Sequence, residues 1–347
     1  MNTVSLTFTR FIAAMSVVIY HFGDVYPFNS EYLAHFFSHS DIFVSYFFFL
    51  SGFVLFVSYY NKKNSTNYEF WIKRVARIYP LYLLALLFFI ILVIPLWGEE
   101  ISLKELTLNL LLLQSWNHDT ALSLNYPGWS LSVEMFFYLT FPFILQIAKK
   151  LSINKNIIIC LIIWISSQLI TIFYFNKSYN PLIHINCFWG GLALAKALTE
   201  NKKSKLLSFL IPYAGVLLTI STIAFILIVG TPNTIIKYGH NGLLTPIYAL
   251  FTFGLIYSKN VVTQVFSNSS LVYLGNISYG VYILQFPVAI FATNFVRFTN
   301  RLLNYPINNG PIVEFYVFIM MLIVCSALAY SYIEKPAKKI ILSIAKV

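Results

Sequence analysis

Residues 41–60 read DIFVSYFFFLSGFVLFVSYY, and this stretch decides the class of fold. Only its first residue is charged, and the others are apolar, aromatic or small. A run of about 20 such residues has the length that an α-helix needs to cross a bilayer. The stretch therefore predicts a transmembrane helix.

The composition of the whole chain agrees with this segment. Of its 347 residues, 59% are hydrophobic and only 10% are charged. Soluble domains carry about 25% charged residues, so this chain has too few charges to cover a water-exposed surface, and a soluble multidomain enzyme is excluded. The sequence predicts an all-α, polytopic membrane protein in which residues 1–347 form a single membrane domain.

Ten apolar runs are long enough to cross a bilayer. The predicted spans are 4–22, 41–60, 78–97, 129–148, 156–175, 182–198, 208–229, 241–257, 276–296 and 312–333. Most of the 23 basic residues fall in loops on one side of this arrangement, which identifies that side as cytoplasmic. Both termini are expected there, and the first span is expected to be an uncleaved anchor. The short apolar stretch 103–116 is predicted to be a re-entrant or interfacial segment on the outer face.

Topology also explains the net charge of +11. The basic residues are spread over short loops rather than collected in one patch, so no nucleic-acid partner is predicted. The three cysteines, Cys160, Cys187 and Cys325, lie inside apolar runs without paired spacing. Neither a disulfide framework nor a metal site is therefore expected.

Arg10 and His21 are ionisable residues of the first predicted span. An Asp, Arg or Lys at the centre of a span costs at least about 2.5–3.5 kcal/mol on insertion scales, so such groups mark functional sites by default. A separation of eleven residues is about three helical turns, which puts both side chains on one stripe about 16 Å apart. Each has a structural alternative, since Arg10 could snorkel to the cytoplasmic interface and His21 could be a satisfied interfacial histidine.

Glu134 is the one carboxylate of the twelve that lies well inside a predicted span. It follows Trp129, at the expected outer end of that span, by about one and a half turns, which predicts roughly the depth of His21. A carboxylate beside an imidazole fixes its tautomer and raises its basicity, so the two residues are predicted to form a catalytic pair. The alternative is that Glu134 anchors two helices by pairing with an arginine.

Arg74 and Arg77 enter the third span from the cytoplasmic side, in the stretch 70–80 (FWIKRVARIYP). They are three residues apart and share a helix face, so their planar guanidinium groups can grip one polyanion. Phosphate groups suit that geometry. Both arginines also satisfy the positive-inside rule without any ligand, which stays open as the alternative.

Six motifs, in order along nearly the whole chain, make the sequence recognisable. They are R-x10-H at 10–21, FFFLSGF at 47–53, RVARIYP at 74–80, PGWSLSVEMFFY at 127–138, LGNISYGVY at 274–282 and YIEKP at 332–336. Together they resemble the integral-membrane acyltransferase family 3, of the O-antigen and exopolysaccharide O-acetyltransferase type. Four departures from that pattern stand out. Thr7 and Ser45 each stand where the family often has an aspartate, Phe11 stands where it has a glycine, and Gln285 stands where many members have a histidine.

The resemblance implies transfer of an acyl group, usually acetyl, from cytoplasmic acyl-CoA to a hydroxyl of a glycan at the outer face. O-antigen, capsule, exopolysaccharide and peptidoglycan are the acceptor classes that it suggests. It also implies a multi-pass protein of the bacterial inner membrane that uses no metal. Its expected partners are membrane lipid, the acyl-CoA donor and the glycan or lipid-linked glycan acceptor.

The resemblance also gives the charged residues expected roles. Arg74 and Arg77, together with Arg10, are expected to hold the CoA phosphates. His21 is expected to act as a general base on the acceptor hydroxyl or as a transient acyl carrier, with Glu134 orienting it.

Three further residues are candidates for substrate binding. Ser130 and Ser132 could donate hydrogen bonds to a developing oxyanion, although helix packing is the preferred explanation for small hydroxyls. Trp129 could stack on a sugar, although a position in the interfacial aromatic belt is the preferred explanation for it.

Two other classes of function fit part of the pattern. A secondary transporter of a sugar or lipid-linked anion also buries Glu, His and Arg among its spans. The sequence shows neither the inverted repeats nor the paired broken helices that transporters often have. The second alternative is a relative that has lost catalysis and serves as a binding or regulatory protein. Acylation of membrane glycan that depends on CoA distinguishes an enzyme from both.

Overall fold

The computed structural model describes residues 3–23, 30–62, 66–93, 101–174, 178–200, 205–232, 236–303 and 311–347. All regular secondary structure in these ranges is helical. The α-helices are α1 (Ser5–Phe22), α2 (Glu31–Phe37), α3 (Phe43–Tyr59), α4 (Asn67–Phe88), α5 (Leu103–Leu110), α6 (Gly128–Lys150), α7 (Ile153–Tyr174), α8 (Pro181–Glu200), α9 (Lys205–Leu210), α10 (Ala214–Gly230), α11 (Thr245–Tyr257), α12 (Val261–Phe266), α13 (Ser269–Ile283), α14 (Gln285–Leu303), α15 (Pro311–Ala329) and α16 (Lys335–Ile344). The prediction of an all-α protein is confirmed.

Nine segments within the described ranges are long and apolar enough to cross a membrane. They are Ser5–Phe22, Ser40–Tyr59, Asn67–Ile91, Gly128–Lys150, Ile153–Phe173, Pro181–Glu200, Lys205–Gly230, Ser269–Thr299 and Ile312–Ile344. The shorter apolar helix α11 falls on the remaining predicted span, 241–257. The prediction of a polytopic membrane protein is confirmed. The cytoplasmic position of both termini stays a prediction.

The stretch 103–116 forms a short helix and a turn rather than a span. Helix α5 begins with a capping box, in which Ser102 and Glu105 each satisfy a backbone N–H group of the other. After α5 the chain turns toward the beginning of α6, where the side-chain amide of Gln114 donates to the carbonyl oxygen of Gly128 at 2.9 Å. The segment therefore covers the first turn of α6, and its place on the outer face stays a prediction.

Two glycines allow α3 and α8 to pack backbone against backbone. A β-carbon at Gly52 would collide with the carbonyl oxygen of Phe188, and one at Gly191 would collide with that of Phe49. Small residues of this kind let membrane helices approach closely, since lipid supplies little hydrophobic driving force between them. The contact fixes the position of α3, which forms one long wall of the cavity described below.

Gly52→Ala is expected to destabilise the protein by about 1–3 kcal/mol, because the added methyl group forces two packed backbones apart. Thermal unfolding of the purified protein measures the effect as a lower melting temperature. Gly215→Ala is the matched control, since a β-carbon there meets no other group within 4 Å. Equal melting temperatures for the two variants would contradict the proposed contact.

Helix α13 lies against both α1 and α4. A β-carbon at Gly275 would collide with the backbone of α1 at Thr7. From the same helix, the Tyr279 hydroxyl donates to the carbonyl oxygen of Ile78 in α4 at 2.7 Å. These contacts bring α1 and α4, which carry the three arginines, to the same part of the bundle.

The predicted span 276–296 is divided into two helices, α13 and α14. Pro287 explains the division, because it has no N–H group to donate to the carbonyl oxygen of Ile283, four residues earlier. That carbonyl instead accepts from the side-chain amide of Asn125 at 3.0 Å. Proline is well tolerated in the first turn of a helix, so α14 begins anew at Gln285. The predicted span is thus confirmed as one candidate membrane segment, Ser269–Thr299, and two helices form it.

Candidate active site

An elongated cavity of about 190 Å³ lies between α1, α3, α4, α6 and α13. Along α3 it extends from Val44 to Leu55, which is eleven helical steps or about 17 Å. The polar part of its wall consists of Thr3, Thr7, Arg10, Ser51, Arg74, Arg77, Ser130, Glu134, Tyr138, Ser278, Tyr279 and Tyr282. The cavity is therefore long, narrow and charged, and all three arginines suggested by the sequence face it.

The arginines are held in place by neighbouring side chains. Arg74 and Arg77 project from α4 at the spacing that predicted a shared face, and Arg10 reaches in from α1. The Arg74 guanidinium lies 5.7 Å from the ring centres of both Phe70 and Tyr138, at cation–π distance. Its Nε is buried without a hydrogen-bond partner among the described residues. Because an unpaired buried donor is costly, this group is suited to binding an anion.

Glu134 faces the same cavity and accepts hydrogen bonds from two hydroxyl groups. Tyr138 donates from one turn further along α6, and Ser51 donates from α3 at 3.4 Å. The carboxylate also lies within electrostatic range of Arg10. Five of the six sequence motifs therefore meet in this cavity, namely those at 10–21, 47–53, 74–80, 127–138 and 274–282.

Glu134 lies deeper in the bundle than the sequence predicts. The ring of Tyr126 packs 5.2 Å from that of His21, so the chain just before α6 is at the level of His21. Helix α6 then begins at the buried Gly128, and Glu134 follows six steps, or about 9 Å, further along. The difference arises because Trp129, which marked the outer end of the predicted span, is enclosed by protein and only 4% exposed. Pairing of His21 with Glu134 stays a prediction.

His21 lies near the end of α1, about three turns beyond the arginine of the same helix, and is not part of the cavity wall. Its Nδ1 lies 2.8 Å from Oε1 of Gln285. Tyr126 and Phe286, which stack on each other at 5.4 Å, both contact the imidazole ring. The Gln285 amide also donates to the carbonyl oxygen of Tyr282 at 2.6 Å, and Tyr282 lines the cavity. The histidine is thus connected to the cavity through two residues.

The two serines suggested for substrate binding lie in different environments. Ser130 lines the cavity beside the hydroxyl of Tyr282, and it donates to the carbonyl oxygen of Pro127 at 3.1 Å. Ser132 is buried and accepts a hydrogen bond from Ser115 at 2.8 Å. The contact of Ser132 ties α6 to the segment that covers it, which supports the packing explanation for this residue.

Trp129 lies in a buried cluster rather than on the cavity wall. Its ring centre is 5.0 Å from that of Tyr179, 5.4 Å from that of His184 and 5.1 Å from that of His240. Phe48 approaches it edge-on at 6.0 Å. These contacts make Trp129 a packing residue in this structure, and its suggested role in binding a sugar stays a prediction.

Two residues that the sequence analysis did not propose for the site lie close to its arginines. Glu334 ends the π-helix Tyr330–Glu334 and is within electrostatic range of Arg77. Helix α16 follows and packs against α4, which places Lys338 within electrostatic range of Arg74 and Arg77. A π-helix frequently marks a functional site. The YIEKP motif was the only sequence signal for this part of the chain.

Fold and cavity together define a class of protein: a polytopic helical bundle with three arginines and a glutamate around one intramembrane cavity. A family model described as an acyltransferase domain matches residues 3–331. The chain belongs to this family, acyltransferase 3, and the resemblance drawn from its motifs is confirmed. Membership in an acyltransferase family favours acyl transfer over the transporter alternative.

Curated relatives agree with the family assignment. The chain is 35% identical over 161 residues to Acyltransferase MdmB of Streptomyces mycarofaciens, covering 44% of this chain and 41% of that protein. It is 22% identical over 368 residues to O-acetyltransferase OatA of Staphylococcus aureus strain NCTC 8325, covering 95% of this chain and 56% of that protein. The chain thus spans about half the length of the curated relatives that it matches. No solved structure matched it in the comparison.

Proposed function

We propose that this membrane protein transfers an acetyl group from acetyl-CoA to a hydroxyl of a bacterial cell-surface glycan. The observation that carries the proposal is the convergence of Arg10, Arg74, Arg77 and Glu134 on one cavity. Family membership and the names of the relatives support acyl transfer as the chemistry. The acceptor classes are O-antigen, capsule, exopolysaccharide and peptidoglycan, and the location is the bacterial inner membrane.

The shape of the cavity supports a donor that enters as an extended chain. Its volume of about 190 Å³ is below the roughly 300–1,000 Å³ of pockets that enclose drug-sized ligands. The thin pantetheine arm of acetyl-CoA fits such a passage better than the nucleotide does. In the proposal the phosphates stay at the guanidinium groups, and the arm carries the thioester toward the end of the cavity at Tyr282.

His21 then supplies the chemistry beyond that end of the cavity. Its Nε2 takes the proton of the acceptor hydroxyl while the oxygen attacks the thioester carbon. The carbon–sulfur bond breaks, and the CoA thiolate leaves with the proton from the imidazolium. Alternatively, Nε2 attacks the thioester carbon first, the carbon–sulfur bond breaks, and CoA leaves as the thiolate. The acceptor oxygen then takes the acetyl group from Nε2, which becomes a neutral imidazole nitrogen again, and the proton of the hydroxyl goes to the thiolate. Glu134 lines the path of the thioester, and its charge holds Arg10 toward the cavity.

Analysis of surface glycans in the bacterium that encodes the protein tests the proposal. Mass spectrometry compares cells in which the gene is deleted, complemented, or complemented with His21→Ala. We expect an ester-linked acetyl group that disappears on deletion and returns only with the wild-type protein. Identical ester content in all three strains, with each protein present in the membrane, would overturn the proposal.

Lys338→Ala is expected to weaken acetyl-CoA binding by about two- to fivefold, the effect of a partly exposed charge worth roughly 0.5–1 kcal/mol. The reason is that α16 places this lysine beside the arginines assigned to the phosphates. Equilibrium binding of labelled acetyl-CoA to the purified protein measures it. Lys339→Ala is the matched control, since it removes the same charge from the same helix. Equal affinities for the two variants would remove Lys338 from the donor site.

A further inference from the structure

Gln285 is fully buried where α13 ends and α14 begins, and its side-chain amide has hydrogen-bonding groups on both sides. Nε2 donates to the carbonyl oxygen of Tyr282 at 2.6 Å, and Oε1 lies 2.8 Å from Nδ1 of His21. The reverse orientation of the amide would place two acceptors, Oε1 and the Tyr282 carbonyl oxygen, against each other. The backbone carbonyl therefore decides which end of the amide faces the histidine.

That orientation determines where the imidazole carries its proton. An amide oxygen can only accept, so Nδ1 of His21 must be the donor. In the neutral imidazole one ring nitrogen is protonated and the other holds a lone pair. With the proton on Nδ1, the lone pair is on Nε2, which is the nitrogen that can accept a proton or attack a carbonyl carbon.

Contacts on both sides of the Gln285–His21 pair support this geometry. The Ile283 carbonyl, which Pro287 cannot satisfy, is bound by Asn125, so the segment that leads into Gln285 is fixed to the chain just before α6. On the other side, Tyr126 and Phe286 contact the imidazole ring. The division of the predicted span thus serves to present one buried amide to His21.

We propose that Gln285 is a positioning residue, which holds His21 in the Nδ1-protonated tautomer so that Nε2 is the reactive nitrogen. This inference rests on the proposed function for its catalytic consequence, but the tautomer itself is independent of any activity.

Nitrogen NMR of the full-length protein in lipid nanodiscs tests the tautomer directly. Histidine nitrogens are labelled with ¹⁵N, and the His21 signals are assigned by their loss in His21→Ala. We expect the neutral ring to be protonated at Nδ1 in the wild type and to lose this preference in Gln285→Leu. Protonation at Nε2 in the wild type, or an unchanged tautomer in Gln285→Leu, would overturn the proposal even if the protein proves to be inactive on acetyl-CoA.

Kinetics then separate positioning from a merely structural role. Gln285→Leu is expected to lower kcat by about 10²-fold or more with KM for acetyl-CoA unchanged. Asn294→Leu, which removes an exposed amide from the same helix, is the control.

Gln285→Glu keeps the acceptor and adds a negative charge that favours the imidazolium. The acidic limb of the pH profile of kcat/KM is therefore expected to move to higher pH. A Gln285→Glu enzyme with an unshifted limb, or a Gln285→Leu enzyme with normal kcat, contradicts positioning. If the wild type transfers no acetyl group, the proposed function fails, and the NMR result alone decides this inference.

Discussion

His21→Ala is expected to reduce acetyl transfer by at least about 10²–10⁴-fold, the contribution of a positioned general base or acyl carrier. Binding of acetyl-CoA should be unchanged, because His21 lies outside the cavity that the arginines line. Steady-state transfer checks the expected loss of activity, and equilibrium donor binding on the same preparation checks the unchanged affinity. His118→Ala is the control, since His118 is largely exposed and its side chain is 80% accessible.

Glu134→Gln is expected to reduce acetyl transfer in the same way as His21→Ala. The amide has the shape of the carboxylate and can still accept from Tyr138 and Ser51, so the fold is expected to survive. Transfer is expected to fall to a similar extent as in His21→Ala. Donor binding should be at least as tight as in the wild type, because a negative charge has been removed from the cavity that we propose receives the phosphates. Full transfer activity in either variant would contradict the catalytic assignment.

Replacement of both Arg74 and Arg77 by alanine is expected to have the second large effect, which is on donor binding. We expect the affinity for acetyl-CoA to fall by at least about 10²-fold, since each charge-assisted hydrogen bond contributes roughly 1.5–3 kcal/mol. The Arg74 guanidinium is already aligned by two aromatic rings and has a buried donor to satisfy. The measurement is equilibrium binding at several salt concentrations, because charge-dependent binding weakens as salt increases.

Arg297→Ala combined with Arg301→Ala is the matched control for this variant. It removes the same number of guanidinium groups, and both of these arginines are exposed on α14. If the two double variants lose equal affinity, the effect is one of overall charge, and the assignment of Arg74 and Arg77 to the phosphates is wrong. If neither loses affinity, the donor binds elsewhere.

Much of the fold was predictable because a bilayer restricts the choices. An apolar run of about 20 residues between polar loops has little alternative to a membrane helix, and every predicted span contains a helix in the structure. The predicted span 276–296 differs in one detail, because Pro287 divides its run into two helices. Hydropathy does not register this division, because the apolar run continues on both sides of it, whereas the proline itself was a readable signal.

The arginine cluster was predictable in part. The three-residue spacing of Arg74 and Arg77 already placed them on one helix face. Their convergence with Arg10 depends on the packing of α13 between α1 and α4, which no local pattern contains. The position of Lys338 was not predictable from the sequence, since this residue approaches the arginines only because α16 folds back against α4.

The depth of Glu134 in the bundle could not be predicted from the boundaries of its apolar run. A tryptophan at the start of an apolar run suggests the membrane interface, yet Trp129 is enclosed by Tyr179, His184 and His240. The segment before α6 covers this end of the helix, so the helix begins inside the protein. Residue depth therefore depended on a covering segment and not on the boundaries of the apolar run.

Transfer of label by the purified protein tests the central claim most directly. The protein is reconstituted in lipid vesicles and given acetyl-CoA radiolabelled in the acetyl group, together with surface glycan isolated from a strain that lacks the gene. We predict label in the glycan, released by mild base as expected for an ester, and none with His21→Ala. Absence of label from the glycan, with protein that still binds acetyl-CoA, would contradict the account.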